Sequence, residues 1–111
     1  MIRIAFLTDS QGLIQEFTVK GHAGYDEAGK DIVCAAVSAV VQTAVIGLTD
    51  VAGIIPNHVQ DDGLLKCSLP QQMNIDQRKA SSVILRTMLA GLESIQNGYP
   101  NLISIRERKV D

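Results

Sequence analysis

Ile32-Val33-Cys34-Ala35-Ala36-Val37-Ser38-Ala39-Val40-Val41-Gln42-Thr43-Ala44-Val45-Ile46-Gly47-Leu48-Thr49 carries no formal charge, and the reading of this run decides the fold. Its length is close to that of a membrane span. Yet Ser38, Gln42, Thr43 and Thr49 interrupt it, Asp31 and Asp50 flank it, and no basic or aromatic belt borders it. Ala35, Ala36, Ala39 and Ala44 make it a lean helix that neighbours can approach closely. The expectation is a buried helix of a globular domain rather than a span. Such a helix is apolar nearly all round because it meets a sheet on one side and a partner subunit on the other.

The flanking sequence supplies the sheet. Towards the N-terminus, Ile2, Ile4 and Phe6 alternate with Arg3 and Ala5, which predicts a first strand. Asp9-Ser10-Gln11-Gly12 is turn chemistry, and a second alternating run follows, with Leu13, Gln15, Phe17 and Val19 on one parity and Ile14, Glu16, Thr18 and Lys20 on the other. Gly21 to Asp31 holds three glycines and no apolar period, so it reads as a loop, with Asp31 placed to cap the helix. The helix fades between Asp50 and Gly53. After Pro56, His58 to Gln60 form a short strand, Asp61-Asp62-Gly63 a turn, and Leu65, Cys67 and Leu69 the inward parity of a fourth strand closed by Pro70.

Asn74 and Gln77 have the spacing of a capping box for a second helix. Its apolar stripe runs through Ile84, Leu85, Met88, Leu89, Leu92 and Ile95, with Arg78, Lys79, Arg86 and Glu93 off it. Gly91 beside the stripe suggests close approach of another backbone, and Asn97-Gly98 predicts a left-handed helix end with Pro100 just beyond. Leu102 to Arg108 make a last strand with Ile103 and Ile105 inward. The order β-β-α-β-β-α-β predicts an α/β fold of the α+β type. It is a two-layer sandwich, a single domain over residues 1–111, with two helices on one face of a mainly antiparallel sheet.

Composition narrows the function. The chain has 111 residues, 10 Lys plus Arg against 12 Asp plus Glu, two Cys, two His and no Trp. Two cysteines make no disulfide framework, and with two scattered histidines they spell no structural zinc site, so neither metal nor cofactor is expected. A net charge of -2 argues against a chain whose main task is gripping nucleic acid. The first residues open straight into an alternating strand rather than a secretory signal, so the expected compartment is the cytosol, where thiols stay reduced.

Cys34, three residues after the proposed cap, falls in the first turn of the charge-free helix, where free N–H groups and partial positive charge favour a thiolate and can receive an oxyanion. His22 lies twelve residues earlier across the glycine-rich loop, and a Cys beside a His is the minimum for an activated sulfur nucleophile. Asp31 can orient His22, and Ser38 faces the same side one turn after Cys34. Plainer readings stand beside these. A Cys in an apolar helix is usually packing, Asp31 can serve only as a cap, and Ser38 can bond back to the helix backbone. His22 shares the parity of Thr18 and Lys20, so a bend at Gly21 is needed to turn it towards Cys34.

The remaining candidates are weaker. Cys67 reads as core, His58 as a solvated surface residue, and Asp61-Asp62 as a turn. Arg106, Arg108 and Lys109 form a small basic patch without the aromatic interleaving of an RNA platform. Asp26, Glu27 and Asp31 leave the loop acidic, which suits a basic protein substrate.

Gly21-His22-Ala23 followed by Gly29-Lys30-Asp31-Ile32-Val33-Cys34-Ala35-Ala36-Val37-Ser38 strongly resembles the ribosomal-processing cysteine protease family, Prp, and the resemblance covers essentially the whole chain in length and element order. It implies a cytosolic endopeptidase of Firmicutes and related bacteria. In that family the enzyme removes an N-terminal extension from the large-subunit ribosomal protein L-twenty-seven, cutting just after an aromatic residue. By position it implies Cys34 as nucleophile, His22 as general base and a supporting role for Ser38, and the family suggests a homodimer; the net charge and the reading of the charge-free helix leave no direct nucleic-acid or membrane partner expected. Asp31 matches the motif, as cap or orienting group. The loop Ala23 to Lys30, with Gly24, Tyr25, Asp26, Glu27, Gly29 and Lys30, is then expected to act as a lid over an extended substrate. Two other classes are compatible with the residues: a non-catalytic ribosome-associated module, and a thiol redox protein in which Cys67 resolves an oxidised Cys34.

Overall fold

A computed structural model describes residues 1–21 and 30–110. Seven elements follow in the expected order: β1 (Ile2–Thr8), β2 (Ile14–Lys20), α1 (Lys30–Ile46), β3 (Asn57–Asp61), β4 (Leu64–Ser68), α2 (Ile75–Gly98) and β5 (Ile103–Lys109). The strands form one sheet in the order β3-β4-β2-β1-β5. Every neighbouring pair is antiparallel except β1 and β5, which are parallel. The parallel pair arises because α2 carries the chain from β4 across the sheet to its far edge, a crossover that a hairpin cannot make.

Alternation along β1 sends Ile2, Ile4, Phe6 and Thr8 into the core, all at 2% exposure or less. In register with them stand Val19 and Phe17 of β2 and Ile103 and Ile105 of β5. The Phe6 and Phe17 rings sit directly opposite, 6.4 Å between centroids and tilted by 40°. The parity expected for β2 does not hold along its whole length. A register shift between Leu7 and Thr8 pairs Thr8 with Ile14 and Leu7 with Glu16, which sets Gln15 out as a bulge. Ile14 and Phe17 are consequently both buried, although they stand on opposite parities.

The turn before β2 is held by Asp9. Its carboxylate accepts from the backbone N–H groups of Gln11 and Leu13, both at 2.9 Å, and from the Gln15 side chain at 3.1 Å. These bonds to the charged form, that from Leu13 foremost, hold the Asp9 carboxyl below its ordinary range. At the opposite end of the sheet Asp62-Gly63 closes the β3–β4 hairpin, with Gly63 at φ +70°, the left-handed conformation that a two-residue hairpin turn demands.

Val33, Val37, Val41, Ala44, Val45 and Leu48 line the core side of the first helix at spacings of three and four. Its last turn widens into a π segment, Gly47–Val51, closed by Ala52 N–H donating to the Gly47 carbonyl at 2.9 Å. Gly53 at φ +67° then ends it, and Ile54 returns to the core. The run Ile32–Val51 has the length and mean hydropathy (2.1) of a membrane span, but its buried stripe is that of a core helix, seated on the sheet and beside α2. The expectation of neighbours on most sides is not met within one chain. Only 33% of that run is buried, and Ile32 and Ile46 on its outer side are 65% and 55% exposed.

Three local expectations need correction. The helix starts at Lys30, so Asp31 already has helical backbone and is not the cap, which requires an extended conformation. Gly98 is the last residue of α2 and does not adopt a left-handed φ. The helix stops at Tyr99, whose N–H donates to the carbonyls of Ile95 and Gln96, because a residue before proline (here Pro100) is barred from helical geometry. Gly91 meets no backbone. A β-carbon there would touch a Val40 methyl at 3.5 Å, an ordinary contact.

The capping box of α2 is complete: Gln77 N–H donates to Asn74 Oδ1 at 2.8 Å and Asn74 N–H to Gln77 Oε1 at 3.0 Å. Asn74→Ala removes the acceptor of the Gln77 N–H and leaves that donor unmet, while the backbone N–H at position 74 can still donate to Gln77 Oε1. Urea unfolding of that variant is expected to show a loss of about 1 kcal/mol, with the m-value unchanged.

Candidate active site

Three distant pieces of backbone meet where β2 ends. Gly21 takes φ +89°, and its N–H donates to the Gly63 carbonyl in the β3–β4 turn at 2.8 Å. A β-carbon at Gly21 would stand 2.6 Å from the Met1 carbonyl oxygen. Both facts require glycine: the dihedral because L side chains avoid it, the contact because nothing larger than hydrogen fits. The bend needed to take the chain out of the line of β2 is therefore present at the residue before His22.

Cys34 faces the same corner. It is half-buried and lines a cavity of about 210 Å³. Val19, Val37, Val41 and Leu65 make the wall apolar, while Ser38, Gln42, Gln60 and Asp61 add polar groups. Since the helix begins at Lys30, Cys34 is its fifth residue and opens the second turn rather than sitting in the first. A helical Cα–Cβ bond tilts towards the N-terminus, so the sulfur leans back over the first turn, where the N–H groups lack helical partners.

Of the residues proposed from sequence, the structure brings Cys34 and Ser38 to this cavity, together with Gly21. His22, Gly24, Tyr25, Asp26, Glu27 and Gly29 lie outside the described residues, and Lys30 and Asp31 are placed by their helical backbone alone. Gln42, Gln60 and Asp61 are additions. Gln42 had a sequence signal, since Cys34, Ser38 and Gln42 succeed one another at i+4 on one face of the helix. Gln60 and Asp61 had none, because they arrive on the β3–β4 hairpin through strand pairing.

The second cysteine is excluded from this chemistry. Cys67 is 1% exposed, in register with Phe17, and burial pushes its thiol up to about 11. A sulfur so protonated and enclosed is no resolving thiol, which removes the redox reading that paired it with Cys34. His58, opposite Cys67 on the edge strand β3, is exposed, as a surface histidine should be.

Iodoacetamide at pH 8 is expected to modify Cys34 and spare Cys67 until the chain unfolds, as read by intact mass and peptide mapping. The sign for Cys67 follows from its raised folded value: the unfolded chain ionises first, so stability falls as pH climbs above about 9 towards 11. Gly21→Ala should cost about 1–3 kcal/mol of stability through the forced φ and the Met1 contact, measured by urea unfolding.

Comparison with known proteins agrees with this geometry. Residues 1–104 match the family model described as cysteine protease Prp. The chain is 31% identical over 94 residues to the ribosomal processing cysteine protease Prp of Bacillus subtilis, covering 83% of this chain and 84% of that one. It is 33% identical over 102 residues to the Staphylococcus aureus protein of the same name, covering 89% and 92%. A crystal structure of the essential ribosomal processing protease Prp from S. aureus in complex with a substrate peptide superposes with a TM-score of 0.86 at 26% identity, over 97% of this chain and all of that one. With its thiol at the mouth of a cavity built from both layers of that shared fold, this chain belongs to the Prp family and is a cysteine protease.

Proposed function

We propose that the protein is a cytoplasmic endopeptidase that removes the N-terminal extension of the large-subunit ribosomal protein L-twenty-seven, with Cys34 as nucleophile and His22 as general base. The observation that carries this reading is Cys34 on the wall of the 210 Å³ cavity, beside the Gly21 bend from which His22 departs. The reported S. aureus complex with a substrate peptide, on the same fold, supports a peptide as the occupant. An apolar wall and a volume suited to one large side chain agree with cleavage after an aromatic residue.

In the mechanism, His22 takes the Cys34 proton and the thiolate attacks the scissile carbonyl carbon, forming the C–S bond. The oxyanion receives hydrogen bonds from N–H groups of the first turn of α1, which have no helical acceptors. Collapse of the tetrahedral species breaks the C–N bond as His22 returns its proton to the departing amine. Water, deprotonated by His22, then hydrolyses the thioester and frees the extension. Ser38 lies one turn from the sulfur as a polar support, Asp31 orients His22, and the segment with Gly24, Tyr25, Asp26, Glu27, Gly29 and Lys30 closes over the substrate.

The working unit is a homodimer. An apolar groove of about 570 Å³ runs between the two helices, lined by Ala39, Val40, Gly47, Val83 and Gly91 among others. Val83 beside it is 67% exposed, an arrangement a second copy of this chain would relieve.

The decisive comparison is mass spectrometry of the ribosomal protein bearing its extension after incubation with wild type, Cys34→Ala or His22→Ala. Wild type is expected to release the extension, and each variant to be slower by roughly 10⁴-fold or more. Undiminished cleavage by Cys34→Ala would overturn the nucleophile. For the assembly, sedimentation velocity should give a dimer for wild type and a monomer for Ala39→Glu.

A further inference from the structure

The helices cover one face of the sheet, and the register specifies what the other face presents. Cross-strand partners project to the same side. The residues of β1 that point away from the core are Arg3, Ala5 and Leu7. Arg3 is flanked by Lys20 on β2 and Ser104 on β5, Ala5 by Thr18 and Arg106, and Leu7 by Glu16 and Arg108. Lys66 of β4 joins the same face opposite Thr18, and Asp61 lies at the far edge opposite Leu64. Among the described strand residues this face gathers Arg3, Lys20, Lys66, Arg106 and Arg108 against Glu16 and Asp61, a strong positive excess in a chain whose net charge is -2.

The one acid near the centre is already engaged. Glu16 pairs with Lys66 at 3.6 Å and accepts from the Ser68 hydroxyl at 2.7 Å. Among the described residues none of Arg3, Lys20, Arg106 and Arg108 has an ion-pair partner. Arg3 and Lys20 stand directly opposite each other, a like-charge arrangement that weakens a sheet unless something answers it. Arg3, Lys20 and Arg106, with Thr18 and Ser104 between them, line a shallow groove of about 340 Å³. Lys109 does not belong to it, since it pairs with the inward-facing Thr8.

We propose that this open face docks the protein on the phosphate backbone of RNA. The occupant follows from chemistry. Guanidinium, ammonium and hydroxyl donors are what phosphates require, whereas a protein partner would need an apolar or aromatic centre, and the groove offers little beyond Ala5 and the edge of Ile4. With no aromatic residue on the face, binding is to backbone and indifferent to base sequence. The helices and most of the Cys34 cavity wall lie on the other side of the sheet, with Asp61 at the strand end reaching the cavity rim, so a docked enzyme keeps its site open to a peptide. The whole-chain charge concealed this face, because the acids responsible for the negative total are elsewhere.

The test is fluorescence anisotropy of a labelled oligouridylate of about 20 nucleotides in KCl from about 50 to 200 mM, with wild type and the Arg3→Ser/Arg106→Ser double variant. Four phosphate contacts at about 0.7 each predict a slope of log K against log [salt] near -3. The double variant should halve that slope and bind roughly 25-fold more weakly at 0.1 M salt. It should keep wild-type peptide hydrolysis, which shows that the fold and the cysteine site survive. No binding at the lowest salt, or equal binding by the double variant, would overturn the proposal. So would competition by polyglutamate as effective as that by unlabelled oligouridylate, which would make the face a docking surface for acidic protein instead.

Discussion

The burial of one stripe of α1 against the sheet is the interaction on which the rest of the structure depends. Val33, Val37, Val41, Ala44, Val45 and Leu48 pack over Ile2, Ile4, Phe6 and Phe17 in a single cluster that also takes in Leu85, Met88 and Leu92 of α2. Burying a valine or leucine side chain contributes about 1.5–3 kcal/mol, and the stripe supplies five of them beside Ala44. The stripe also sets the rotation of the helix. With Val33 and Val37 held down, Cys34 and Ser38 are carried to one flank, where the cavity opens. A thiol placed in this way inherits its position from the core rather than from a loop, which is the rigid support that the proposed covalent chemistry needs.

The two sides of the molecule are built for different surroundings. The helix layer carries the cysteine site and an apolar outer groove, while the open side of the sheet carries cations and hydroxyls. The proposed catalysis, self-association and docking then make separate demands on separate surfaces.

Much of this was legible in the sequence. Alternation in β1, the Asn74–Gln77 box and the apolar stripe of α2 all act over a few residues, and each appears in the fold as read. The failures have the same origin. The bulge at Gln15 inverted the parity of Ile14 because a register shift is a property of two strands. The end of α2 was assigned to Gly98 when Pro100 enforces it, two competing stop signals that lie within three residues of each other. Asp31 looked like a cap because charge gives way to apolar residues just after it, yet the backbone is helical one residue earlier.

The sequence by itself determined the order of elements, the inward stripe of α2, and the paired motif around His22 and Cys34 that marks the family, because these rest on local spacing and residue chemistry. Tertiary structure alone decided that Met1, Gly21 and Gly63 converge beside the thiol, that Gln60 and Asp61 help line its cavity, and that scattered cations form one face. Those outcomes follow from the strand order β3-β4-β2-β1-β5 and its registers. They are set by which distant segments bury one another best, a competition across the whole chain that no local pattern records.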